Sequence, residues 1–254
     1  MTIPEPIVPP IPSPPEGMPV HPGYPTPQPD PTNPSTPAPG GADLLATGRL
    51  YLPPGFEKHA LATQILVGLV SVGALWRTSI LFQILGFANN PFGLTRAEAQ
   101  RLDSADTSSS YLVLFGAVVS GICFLGWESR GRNALFFASP SALRMPNGWA
   151  IGSWFIPIAN WIVPVFGIRD MDNAAHGETK ARFAPVIVGW WAAWIFGAIV
   201  AQWYIRMNPT SLEEIKRMVT LGIAGQLVLA TGGILFILVI RRITRAMVAR
   251  AAQA

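Results

Sequence analysis

The chain has 254 residues, half of them hydrophobic and 13 % charged, against about 25 % charged in soluble domains. That depletion points to lipid as the solvent. The basic excess, 18 Lys and Arg against 14 acids, flanks apolar runs instead of clustering on a soluble face, which argues against nucleic acid as the partner and for anionic lipid headgroups.

Residues 1–43 hold sixteen of the 25 prolines, and no Lys or Arg precedes Arg49. Such density fixes φ, removes donors and leaves no apolar face, so a disordered tail is expected there, followed by a helical transmembrane domain over 44–254. PxxP spacings, as in Pro12 to Pro15 and Pro22 to Pro25, suit a cytoplasmic partner with an aromatic groove, although a plain tether has the same composition. The start lacks the basic and apolar regions of a secretory signal, so insertion is expected to rely on an internal span.

Five apolar runs follow, and helices are the open-ended structures lipid permits. The first starts near Ala60 with LATQILVGLVSVGALW. A span beginning at about Glu57 brings Trp76 and Arg77 to the outer interface, with SILFQILGF beyond it, and no acid lies in a span to pair with Arg77. TRAE (Thr95 to Glu98) reads as a capping box opening a short polar helix. The second run is SYLVLFGAVVSGICFLGW (110–127), and the third is GWAIGSWFIPIANWIVPVFGI (148–168). The fourth covers 184–205. The fifth, 218–240, follows a second capping box, SLEE (Ser211 to Glu214), and predicts one helix running into a solvated basic end, RRITRAMVARAA.

The third run decides the topology. If it crosses, five spans place nine basic residues on the side of the C-terminus and eight on the other. If it re-enters, the counts become twelve and five, which satisfies the positive-inside rule. Both termini are then cytoplasmic, in a plasma (inner) membrane protein. In a helix Pro157 would free the carbonyl of Ser153, and Pro164 that of Asn160. The Ser153 hydroxyl and the Asn160 amide are the local partners, and Pro157, Asn160 and Pro164 would share one helical face. The expected fold is therefore all-α: four transmembrane helices plus a proline-broken re-entrant segment, with five crossing helices as the alternative.

Three blocks carry a family resemblance: FLGWESRGRNA (124–134), PNGWAIGSWFIPIANWIVP (146–164) and IRDMDNAA (168–175). Together they resemble domain-of-unknown-function family 4328, multi-pass membrane proteins found mainly in actinobacteria with proline-rich N-terminal tails. The resemblance runs from about Ala60 to Arg245. Its pattern is a Trp, an arginine-rich helix end with Asn-Ala, then GWA-x-G-x-WFIP-x-x-N. It marks Trp127, Gly148, Trp149, Gly152, Trp154, Phe155, Pro157, Asn160 and Pro164 as structural residues. Gly131 departs from it, since a larger residue is expected between the arginines. The family brings no activity with it.

Candidate sites are few. Glu128 and Arg132 are spaced i, i+4 as an exposed pair, and Arg130, Arg132 and Asn133 form a candidate anionic headgroup site or a plain helix end with snorkelling arginines. Gly189, Ala193, Gly197 and Ala201 recur every fourth residue, as do Gly116 and Ser120, which suits close helix packing within one bundle or between copies in a homo-oligomer. The single Cys123 and the scattered His21, His59 and His176 give neither a disulfide nor a metal site. No catalytic constellation and no cofactor motif is visible. The expected role is a non-catalytic membrane scaffold or interaction module. The alternative is a small-solute or lipid-handling transporter using the broken segment.

Overall fold

In a computed structural model of the protein, residues 49–90 and 95–253 are described. The expected disordered tail, residues 1–43, lies outside them. The elements are α1 (Phe56–Asn89), α2 (Arg96–Ala138), α3 (Asn147–Gly152), α4 (Val163–Ala175), α5 (Pro185–Arg206) and α6 (Leu212–Ala252), with 3-10 turns at Pro140–Ala142, Ser153–Phe155 and Ala159–Trp161. No strand occurs among the described residues. Four helices, α1, α2, α5 and α6, are long and apolar enough to cross a membrane. The third apolar run is not one of them.

Lipid explains the outward faces. Leu61, Ile65, Leu69 and Val72 recur at helical spacing on α1 and are all exposed, as are Leu114, Phe115, Val118 and Ile122 on α2. In water such faces would be an aggregation hazard; in a bilayer they are the solvent contact. Hydroxyl side chains on α1 satisfy themselves. Thr63, Ser71 and Thr78 each donate to the carbonyl four residues back, at 2.9 Å, so none presents a bare hydroxyl to hydrocarbon.

Helix ends follow local chemistry with three departures from expectation. The Thr95 side chain accepts from the Glu98 N–H while Glu98 reaches back to the Thr95 N–H, a complete capping box. It opens the whole of α2, 43 residues, rather than a short separate helix, because no breaker stands between Arg96 and Ala138. At Ser211 the hydroxyl caps Glu214, but the Glu214 carboxylate accepts from Thr210, one residue earlier than the box predicts. As expected, α6 runs unbroken through the last apolar run. Its end, however, is solvated on one face only: Ile243 and Met247 are fully buried, while Arg241, Arg242 and Arg245 are exposed. Arg250 donates to the Ala138 and Ala174 carbonyls and to the Ser139 hydroxyl. A cation at the C-terminal ends of α2 and α4 is favourable on electrostatic grounds.

The bundle is built on the pairing of α1 with α6. Helix α2 packs on α1, and α5 on α6. A large core fills one end, centred on Phe56, Trp127, Leu135, Ile168, Met171, Ile187, Ile240 and Ile243. The Trp127 indole N–H donates to Thr244 Oγ1 at 3.1 Å, tying α2 to α6. A smaller cluster, Leu81, Val219 and Ile223, closes the opposite end.

The proline-containing run turns out to be a chain of short pieces: α3, two 3-10 turns and the start of α4. Pro157 lies exposed between the turns, and Pro164 sits in the first turn of α4, where its missing N–H is not needed. The repairs differ from those expected. The Ser153 carbonyl is met by the Ile156 N–H at 3.4 Å, and the Ser153 hydroxyl donates to the Ala150 carbonyl at 3.0 Å. Asn160 Oδ1 is buried and meets no donor. Pro157, Asn160 and Pro164 therefore share no helical face. Phe155, Ile158 and Ile162 point outward, Ile158 being 82 % exposed, which suits a segment embedded in lipid from one side.

Candidate functional site: a lateral groove and the polar clamp beside it

Small residues set how closely the helices approach. A Cβ on Gly116 would lie 3.0 Å from Val70 Cγ2, and one on Gly73 would lie 3.2 Å from Val113, so α1 and α2 meet through glycines. The α5 stripe faces α6: Gly189 lies by Leu235, Ala193 by Gly232 and Gly197 by Val228. The four-residue spacing thus has a use inside one bundle. Ala193, Gly197 and Ala201 also border the cavity described next.

Between α2 and α5, which do not pack on each other, lies a cavity of about 710 Å³. Small-molecule sites fall in the range of about 300–1,000 Å³ and combine apolar walls with a few placed polar groups. Here Ala117 and Gly121 of α2 face Ala193 and Gly197 of α5 across a floor that includes Gly225, Gly232 and Gly233 of α6. One end is aromatic. Trp190 stacks on Phe236 at 4.6 Å, Phe124 meets Phe236 at 4.8 Å, and Trp154 from the broken segment meets Phe124 at 5.3 Å. The other end is polar, with Arg77, Ser110 and Tyr204 on its wall.

Arg77 is not the isolated charge that the apolar runs suggest. Its Nε and Nη2 donate to the two Asp106 oxygens at 3.0 and 3.4 Å, and its guanidinium lies 6.0 Å from the Tyr204 ring centre. Asp106 belongs to the polar first turns of α2, which the sequence alone does not align with Arg77.

Beside the aromatic end sits a buried polar clamp. Glu128 and Arg132 are both fully buried, so the expected exposed pair is overturned. Helix α3, α4 and the loop before them cover α2 at that point. Arg132 donates through Nε to Asn147 Oδ1 at 3.1 Å, through Nη1 to the Gly167 carbonyl at 3.0 Å and through Nη2 to the Met145 carbonyl at 2.6 Å. The Trp154 indole donates to Glu128 Oε2 at 3.1 Å, while Glu128 Oε1 meets no donor. Arg130 and Asn133 are exposed, with Asn133 accepting from the Asn147 amide. The candidate headgroup trio is therefore divided: Arg132 holds the broken segment in place, and only its two neighbours reach the surface.

The other marked residues also divide. Trp127 and Pro164 are buried and Trp154 is central, whereas Gly148, Trp149 and Phe155 face outward. A Cβ at Gly148 or Gly152 would meet nothing within 4 Å. Gly131 is explained: a Cβ there would collide with Met171 Cε and approach Phe56 at 3.4 Å. Among the described residues no cluster of His, Cys, Asp and Glu could hold a metal ion. Sequence reading misses Gln226, a cavity-wall residue whose Oε1 is buried without a donor. Its signal was there, a lone amide inside the fifth apolar run.

Four apolar spans, an embedded broken segment and a groove opening between two of the helices define a polytopic helical membrane protein. Residues 91–245 match the family model "Domain of unknown function (DUF4328)", more than half of the chain, and the protein belongs to that family. No curated protein and no solved structure matches the chain.

Proposed function

We propose that the protein is a non-catalytic membrane protein that binds an amphiphilic lipid in the groove between α2 and α5. The observation that carries this reading is the cavity itself, apolar along its length and polar at one end. An acyl-type chain matches the walls, and a head matches the rim at Arg77, Ser110 and Tyr204. The positive-inside count supports cytoplasmic termini in a plasma membrane, and the PxxP spacings suit a cytoplasmic partner that would couple lipid occupancy to the tail.

The test is photolabelling of the full chain in nanodiscs with a diazirine-bearing lipid, mapped by peptide mass spectrometry. Adducts on Gly121, Gly197 or Gly232 peptides are expected, and Gly121→Phe should abolish them, because a side chain at Gly121 enters open space. Labelling confined to outward faces would overturn the reading. The small residues along the groove favour one other occupant, a transmembrane helix of a partner in a scaffold role. Protein crosslinks in place of lipid adducts would establish that role instead.

A further inference from the structure

Helix α4 ends in a turn closed around a glycine. Gly177 holds φ at +72°, its N–H donates to the Ala174 carbonyl, and the Glu178 N–H reaches back to the Asn173 carbonyl at 2.8 Å. This double closure turns the chain out of α4. The loop then returns to the start of α5, so that Arg182 and Ala184 border one cavity with Asp172, Asn173, His176 and, from α6, Arg242. At about 180 Å³ it is smaller than the usual small-molecule site and suits one compact group. The apolar span of α5 begins at Pro185, which sets the cavity at the depth of lipid headgroups.

Its wall selects an anion. Arg242 grips Asp172 through Nε and Nη2 at 2.9 and 3.2 Å, and its side chain is 42 % exposed. Nη1 has no partner among the described residues, so the guanidinium is fixed by one edge and offers the other to an oxyanion. Helix α5 opens at Ala184 without a side-chain cap, and the positive end of a helix favours an anion. Asn173 is 5 % exposed, and its amide meets no partner among the described residues. Unlike the sealed oxygens of Asn160 and Gln226, that amide stays reachable from the cavity. A buried amide without a partner is unfavourable, and a ligand oxygen would supply one. Of the two acids on the wall, Asp172 is matched by Arg242. Glu178 is offset by the exposed Arg182, which enters no ion pair among the described residues. Lys180 in the loop and Arg245, three residues beyond Arg242, add exposed positive charge nearby.

We propose that this cavity binds a phosphate group, with the free edge of Arg242, the Arg182 guanidinium and the Asn173 amide N–H donating to its oxygens. At this depth the expected source is the headgroup of an anionic phospholipid; a free phosphate ion presents the same oxygens. The site is separate from the groove between α2 and α5 and does not depend on it.

Native mass spectrometry of the full chain tests this, in a Gly121→Phe background that takes the groove out of the measurement. The ligands titrated are dioleoyl phosphatidylglycerol, dioleoylglycerol and inorganic phosphate. Asn173→Leu and Arg182→Gln should each raise the phosphatidylglycerol concentration needed by about three- to tenfold, the effect of one hydrogen bond, and leave dioleoylglycerol unchanged. Lys58→Gln, which removes an exposed charge elsewhere, should have no such effect. Asn173→Leu alters no charge, so attraction to a basic surface cannot account for its result. Both variants should elute as the parent does, since Arg182 is exposed and the Asn173 side chain ties nothing together. Inorganic phosphate that binds alone, and is weakened by the same variants, assigns the site to the free ion; retention of the lipid only assigns it to a headgroup. Unchanged binding of both phosphate ligands in Asn173→Leu or in Arg182→Gln would overturn the proposal. So would an equal loss in Lys58→Gln, an equal shift for dioleoylglycerol, or no binding of either phosphate ligand.

Discussion

Arg132 lies inside the protein because three oxygen acceptors, from Met145, Asn147 and Gly167, converge on one guanidinium. A forked donor can serve them together; an ammonium cannot, since its donors radiate from one point. Arg132→Lys is therefore expected to behave nearly as a deletion. Arg132→Met should leave the acceptors bare, and at about 1–3 kcal/mol for each stranded group little folded protein should survive detergent extraction, as read by size-exclusion chromatography. Gly131→Val should cost about 1–3 kcal/mol through overpacking against Met171 and Phe56, visible as a lowered thermal midpoint. The i, i+4 spacing of Glu128 and Arg132 is legible in the sequence, but their burial is not. Charges at the end of an apolar run read the same whether water covers them or a segment many residues later folds over them.

At the scale of elements, the broken segment shows what sequence periodicity can settle. Length and apolarity allow the third run to cross, while charge balance and prolines argue that it does not, and no crossing helix forms there. The internal repairs were less legible, because a proline reports which bond is lost and not which donor replaces it. Asn160 makes the difference testable. Had its amide served the freed carbonyls, Asn160→Leu would destabilise the protein. With Oδ1 unpaired, the substitution is expected to leave the thermal midpoint unchanged or raise it. Arg250→Ala should lower the midpoint, since it strips the donor from two helix-end carbonyls, at about 1–3 kcal/mol. Circular dichroism melts in one detergent would compare the two variants directly.

For the whole molecule, the even number of spans puts the broken segment and α6's basic end on a common side. Arg250 bonding to Ala138 and Ala174 carbonyls fixes that juxtaposition. Reporter fusions at His176 and after Ala254 are expected to give the same compartment signal as a fusion at the start of the tail. An opposite signal from either would refute the cytoplasmic assignment. Deleting residues 2–43 should leave the melt of the remaining chain unaltered, because that composition supplies no apolar core. The groove was the least legible feature at this scale. Several of the small residues that line it, Gly197, Gly225 and Gly232 among them, also have a packing reason, and only the placement of α2 against α1 and of α5 against α6, with no packing between α2 and α5, leaves a space there.

That central pair sets a timetable for synthesis. Helix α1 leaves the ribosome early, yet its partner α6 follows only after all the chain between Asn89 and Leu212 has been made. At about 5–20 residues per second the wait is on the order of ten seconds. During it the face of α1 that will meet Gly233, bearing Val67 and Ser71, rests against lipid or the insertion machinery. Ser71 tolerates the delay because its hydroxyl is already spent on the Val67 carbonyl. The newborn helix can thus lodge in the bilayer as a complete, self-satisfied rod, and assembly of the bundle becomes a late, post-insertion step.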